Sequence, residues 1–236
     1  MEEFTSTFGT PVAAAAPVER AAFIRRTYTL LAAAILAFIV VEGLLFASGI
    51  ATLIASMIFS GGAIGWLLVL GLFMGISFLA NRWAVSDTSK ATQYLGLAIF
   101  IIAEAVIFVP LIMIATVYSG DASVLLKAGV VTLGLFLGIT FTVFLTRSDF
   151  SFLAPILSIG GFAALGFIAA SAIFGFTLGS VFAFIMVAFA GTAILYETSN
   201  VLHRFNTKQH VAASLTLFAS VALLFWYILS IFSSRD

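Results

Sequence analysis

The chain has no cysteine, two histidines and four prolines, and only 8% of its 236 residues are charged. The lack of thiols excludes disulfides, thiolate metal sites and iron–sulfur clusters. Both histidines, His203 and His210, fall in one basic stretch near the C-terminal end. No buried histidine-based metal site is therefore expected, and the two read as solvated loop residues. Basic and acidic residues balance at ten each, and nucleic acid is not an expected partner. Also missing are a phosphate-cradling glycine loop, a helical His-Glu-x-x-His, a domain large enough for a nucleotide, and a serine–histidine–acid set at membrane depth. These absences argue against an enzyme and imply no cofactor.

What the chain does have is apolar surface, since 63% of its residues are hydrophobic. A soluble domain of this size cannot hide that much. Seven apolar runs are long enough to cross a bilayer: Tyr28–Ala47, Ala63–Ala80, Tyr94–Tyr118, Ala128–Leu145, Phe152–Phe174, Leu178–Tyr196 and Val211–Phe232. None alternates with period two, so an all-α integral membrane protein of seven helices is predicted. Pro110 is expected to kink the third span and to free a carbonyl near Val106.

Charge sets the orientation. Arg20, Arg25, Arg26, Arg82, Lys90, Arg147, Arg204 and Lys208 fall on one side of a seven-pass weave, and only Lys127 and Arg235 on the other. That bias places the N-terminus in the cytoplasm. Residues 1–26, with Glu2, Glu3, Thr5, Ser6, Thr7 and an Ala/Pro-rich stretch, read as a flexible cytoplasmic leader. Residues 27–233 form the transmembrane domain and 234–236 a short outer tail. The apolar stretch within Ser48–Gly62 is too short to span, and suits an interfacial or re-entrant piece. The leader lacks a cleavable signal pattern, which fits a multi-pass protein of a bacterial inner membrane.

In lipid, helices associate by close packing and polar contacts. Gly71 and Gly75, Gly134 and Gly138, and Gly160, Gly161 and Gly166 are expected to let helix backbones approach. The 26 phenylalanines read as lipid-facing bulk, and the short link between spans five and six requires an antiparallel hairpin.

Three carboxylates stand in or at the edge of apolar spans with no basic residue at their depth. Glu104 is mid-span in the third helix, where a charge costs roughly 2.5–3.5 kcal/mol. It must face the interior or a wet cavity, or stay protonated and bond across to a hydroxyl such as Ser77 or Thr142. Glu42 lies inside the outer end of the first span. Glu197 ends the sixth, in Tyr196-Glu197-Thr198-Ser199-Asn200, with Arg82 and Arg147 as candidate ion-pair partners.

Short motifs in order then become informative: Ser77-Phe78-Leu79-Ala80-Asn81-Arg82, Thr146-Arg147-Ser148-Asp149-Phe150-Ser151-Phe152-Leu153, Gly191 through Thr198, and Ala213-Ser214-Leu215-Thr216-Leu217-Phe218. Together, over residues 20 to 232, they resemble the Bax inhibitor-1 family, the transmembrane BAX inhibitor motif proteins. The resemblance implies a bundle with its seventh helix at the centre. It also implies a pH-sensitive calcium leak, latched by two acids that share a proton, with an arginine of helix two holding the closed state. Here Glu197 stands for the first acid and Arg82 for the arginine, while Phe218 occupies the place of the second acid. A two-carboxylate latch cannot form. A single-acid latch of Glu197 with Arg82 or Arg147 is the expectation, with Glu104 serving another part of the path and Glu42 in support. Expected partners are the lipid bilayer and calcium ions. The other reading, also implied by the resemblance, is an interaction protein that restrains a membrane-bound protease or other membrane machinery. A proton-coupled transporter is weaker, since no internal repeat is evident.

Overall fold

Eight α-helices make up the computed structural model, which describes residues 9–86, 89–118 and 120–234. In order they are α1 (Pro17–Ala47), α2 (Ile50–Ser60), α3 (Gly62–Ala84), α4 (Lys90–Met113), α5 (Ser123–Thr146), α6 (Leu153–Phe174), α7 (Gly179–His203) and α8 (His210–Ser233). All but α2 are long and apolar enough to cross a membrane. No strand occurs among the described residues.

The seventh span, α8, is the hub, packed against α1, α3, α4, α5 and α7. Its first half carries small side chains, Ala212, Ala213 and Ser214, which let neighbours close on every face. The Ser214 hydroxyl lies 2.7 Å from the His210 carbonyl and 2.8 Å from that of Thr27, tying α8 to α1. The third span, α4, is buried still more fully and forms with α8 an inner pair. By contrast α6 is peripheral, burying only Leu153 and Ala164. It stops at Gly175, whose φ of 73° is a conformation glycine adopts freely, and turns back onto α7 as the hairpin requires.

Several expectations change. Helix α1 starts at Pro17, so residues 17–26 of the expected leader are its first turns. Residues 10–12 are docked on the α7–α8 loop: the Val12 N–H donates to the Phe205 carbonyl (2.9 Å) and the Thr207 N–H to that of Thr10 (3.0 Å). Arg20 holds the strap from below, donating to the carbonyls of Val12 (3.0 Å) and Ala13 (2.6 Å). The acids and hydroxyls at positions 2–7, and Arg235 in the tail, lie outside the described residues.

The glycine expectation reverses for two helices. A Cβ at Gly71, Gly75, Gly134 or Gly138 meets nothing within 4 Å, so these residues face outward. Close approach occurs at Gly160, where a Cβ would stand 2.9 Å from Phe189 of α7, and at Gly96, 2.7 Å from the Ala80 carbonyl of α3. Nor are the phenylalanines mere lipid cover, because Phe23, Phe38, Phe100, Phe108, Phe136 and Phe218 are buried. Helix α4 runs through Pro110 and passes into a π-type turn at Ile114–Tyr118. The short α2 lays Ala51 and Ala55 against Val109 and Met113 of α4, leaving Leu53, Met57 and Phe59 exposed.

Candidate functional site

The site is a column of acids and aromatic rings running along α8 and α4. At the basic end, Glu197 sits two turns inside α7 and not at its terminus, because the polar run to Asn200 continues helical. The Asn200 amide donates to Glu197 Oε2 at 3.3 Å, and the Thr216 hydroxyl of α8 lies beside the same carboxylate. Nearby, the hydroxyl of Tyr28 points toward those of Thr140 and Thr198 without closing a hydrogen bond with either. Buried hydroxyls of α1, α5 and α7 thus line one polar pocket of the interior, where unmet polar groups are costly.

The neighbouring loop is clamped to α7. Ser199 Oγ accepts from the Phe150 N–H at 2.9 Å and lies 3.3 Å from the Ser148 carbonyl. Asp149 in that loop accepts from the Ser151 N–H at 2.9 Å, which holds its carboxyl below the usual carboxylate range. Arg147 ends α5 with φ of 50°, an uncommon conformation for a residue with a Cβ, and its side chain is exposed.

Deeper in, the column becomes aromatic. Phe218 is 2% exposed and meets Phe100 of α4 at 6.0 Å and Phe38 of α1 at 6.1 Å between ring centroids. Glu104 follows one turn after Phe100 on the same buried face of α4, with 7% exposure. One further turn brings Phe108, whose ring meets Phe38 at 5.1 Å, Phe225 at 5.7 Å and Trp226 at 5.0 Å. Beyond Phe38 by one turn of α1 is Glu42, 6% exposed, with both carboxylate oxygens buried and without a hydrogen-bond partner. Glu104 and Glu42 therefore flank the Phe38–Phe108 pair from opposite sides, roughly 12 Å apart in height.

The structure brings Glu197 to α8, and Glu104 and Glu42 into the core, but does not join Glu197 to either arginine. Arg82 and Arg147 are both exposed and form no ion pair among the described residues, where Lys127–Asp121 at 3.6 Å is the one such pair. Glu104 bonds neither Ser77 nor Thr142, since Thr142 donates to the Gly138 carbonyl and the Ser77 hydroxyl is buried without a partner. His210 is not solvated: it is 9% exposed, with Nε2 3.3 Å from the Tyr94 hydroxyl. Thr216, Ser199, Asn200 and the buried rings other than Phe218 were not singled out in sequence. Only the polar run Tyr196–Asn200 carried a signal, and the rings are indistinguishable there from lipid-facing ones. No group of three or more potential metal-ligating His, Asp or Glu side chains occurs among the described residues.

Comparison with known proteins adds the following. The family described as Inhibitor of apoptosis-promoting Bax1 matches residues 20–236. The chain is similar to Bax inhibitor 1 of Schizosaccharomyces pombe, 29% identical over 98% of this chain and 82% of the relative. It is also similar to uncharacterized protein PA2604 of Pseudomonas aeruginosa, 28% identical over 68% of this chain and 70% of the relative. No solved structure matches.

Proposed function

Because this chain belongs to the Bax inhibitor family, we propose that it is a passive cation leak, for calcium, set by the protonation of carboxylates within the bundle. The observation that carries this reading is the alternation of acid and ring: Glu197, then Phe218 with Phe100, Glu104, Phe38 with Phe108, and Glu42. No lysine or arginine is buried among the described residues to neutralise these acids. A leak needs several weak sites and not one tight one, and packed rings between them act as dry constrictions. The arrangement described is the closed one. Glu197 serves as a single-acid latch held by hydrogen bonds of Asn200 and Thr216, while Arg82 and Arg147 set the field at the mouth without pairing to it. Protonation removes the charge a cation needs at each level, so flux depends on pH.

Calcium flux into liposomes holding the purified chain, compared with empty liposomes from mildly acidic to mildly alkaline pH, tests the proposal. A pH-dependent flux supports it, and flux no greater than in empty liposomes overturns it.

One observation favours a second reading, an interaction protein that restrains a membrane-bound protease or other membrane machinery. Gly71 and Gly75 of α3 and Gly134 and Gly138 of α5 face outward, and Gly71 and Gly75 floor a groove of about 470 Å³ walled by Leu67, Leu68 and Leu72. Close helix contact in lipid favours such small-residue faces.

A further inference from the structure

A second feature lies apart from the column, at the basic end between α1, α4 and α8. A cavity of about 540 Å³ there is lined by Arg25, Arg26, Lys90, Tyr94 and His210 on its upper side and by Leu30 and Ala33 deeper down. We propose that this groove binds the phosphate of an anionic phospholipid from the cytoplasmic leaflet.

Three cations from two helices converge on one space, and among the described residues no carboxylate lines it. None of the three makes an ion pair among the described residues. Arg26 and Lys90 both act electrostatically on His210, which is buried at the same end of the groove with its Nε2 3.3 Å from the Tyr94 hydroxyl. Two helices also begin here, α4 at Lys90 and α8 at His210. Helix starts present partly positive N–H groups, so their fields add to those of the side chains.

Basic residues at this edge serve orientation in any membrane protein, and scattered cations need no ligand to explain them. Orientation does not require them to share one groove. The cations also stand where the apolar part of α1 begins, with Leu30 and Ala33 one to two turns deeper on the same wall. Charge above and apolar wall below match an amphiphile at headgroup depth, and basic pockets between helices on this side are suited to anionic lipid. Inorganic phosphate shares the headgroup chemistry but has nothing to set against Leu30 and Ala33.

Native mass spectrometry of the full chain in detergent tests the assignment, with phosphatidylglycerol, phosphatidylcholine and inorganic phosphate as probes. Retention of phosphatidylglycerol over phosphatidylcholine is expected, and so is its loss on raising the salt roughly tenfold. The Arg25→Gln/Arg26→Gln double variant should retain it about thirty-fold more weakly. Arg25→Lys/Arg26→Lys keeps the charge and should restore retention, which separates loss of the site from loss of the fold. Equal retention of the two lipids, unaltered retention in the glutamine variant, or displacement by inorganic phosphate would each overturn the proposal.

Discussion

Phe100 of α4 and Phe218 of α8 meet edge to face, with ring centroids 6.0 Å apart and planes at 81°. This contact separates the polar end of the column, where Glu197 meets Thr216, from Glu104 one turn deeper. Phe218 also stands where the family resemblance places an acid. In the proposed leak, the Phe218 ring takes the place of one half of a titrating pair, and the three buried or half-buried acids lie at three levels.

The distribution makes a prediction for pH. Glutamine is a permanently neutral stand-in for a protonated glutamate. Glu104→Gln should therefore show, at every pH, the calcium flux that the wild-type chain shows at its acidic limit. Glu197→Gln removes the charge at the next level and should do the same. Liposome flux across the pH range checks both, and a profile with the wild-type pH dependence in the two variants would remove these residues from the path.

Gly96 and Gly71 should respond oppositely to alanine. At Gly96 a Cβ would stand 2.7 Å from the Ala80 carbonyl and 3.0 Å from the Trp83 Cβ, so Gly96→Ala should destabilise by about 1–3 kcal/mol. Gly71 faces open space, and Gly71→Ala should gain up to about 1 kcal/mol of helix propensity. Thermal unfolding in detergent distinguishes them.

Arg20 is the tie that fastens the strap across the α7–α8 loop. Arg20→Gln loses the charged donor to the carbonyls of Val12 and Ala13, at a cost of roughly 1 kcal/mol. Hydrogen exchange should show faster exchange at the Val12 and Thr207 amides, with the core of α8 unchanged.

Two separate acceptors clamp the α5–α6 loop, and pH tells them apart. Ser199→Ala orphans the Phe150 N–H, costing about 1–3 kcal/mol, and should raise its exchange. Asp149 holds the Ser151 N–H as a carboxylate whose folded pKa is lowered. Its contribution is complete above the ordinary aspartate range and fades as pH falls through the lower folded value. Acidification should thus loosen Ser151 while leaving Phe150 held by Ser199.

Much of this architecture was legible in the residues. Run length gives seven spans, because bilayer thickness acts on local sequence. Buried carboxylates announce themselves by their cost, so Glu42 and Glu104 stand out without a structure, while half-buried Glu197 is picked out by the family resemblance. Partners do not: Thr216 reaches Glu197 only through the packing of α7 on α8, and nothing local marks Phe218 as buried and Phe162 as exposed. The outward turn of Gly71 and the inward turn of Gly96 are likewise decided by which helix lies opposite. The strap at Val12 escaped for a similar reason, since its hydrogen bonds span nearly the whole chain.

The most direct measurement is calcium flux through Phe218→Ala in liposomes, beside Phe218→Leu, which keeps most of the apolar volume. If the ring is the seal between Glu197 and Glu104, the alanine variant should leak faster than wild type at every pH and the leucine variant should stay close to it. Equal flux in all three, with the alanine variant folded by circular dichroism, would contradict the account.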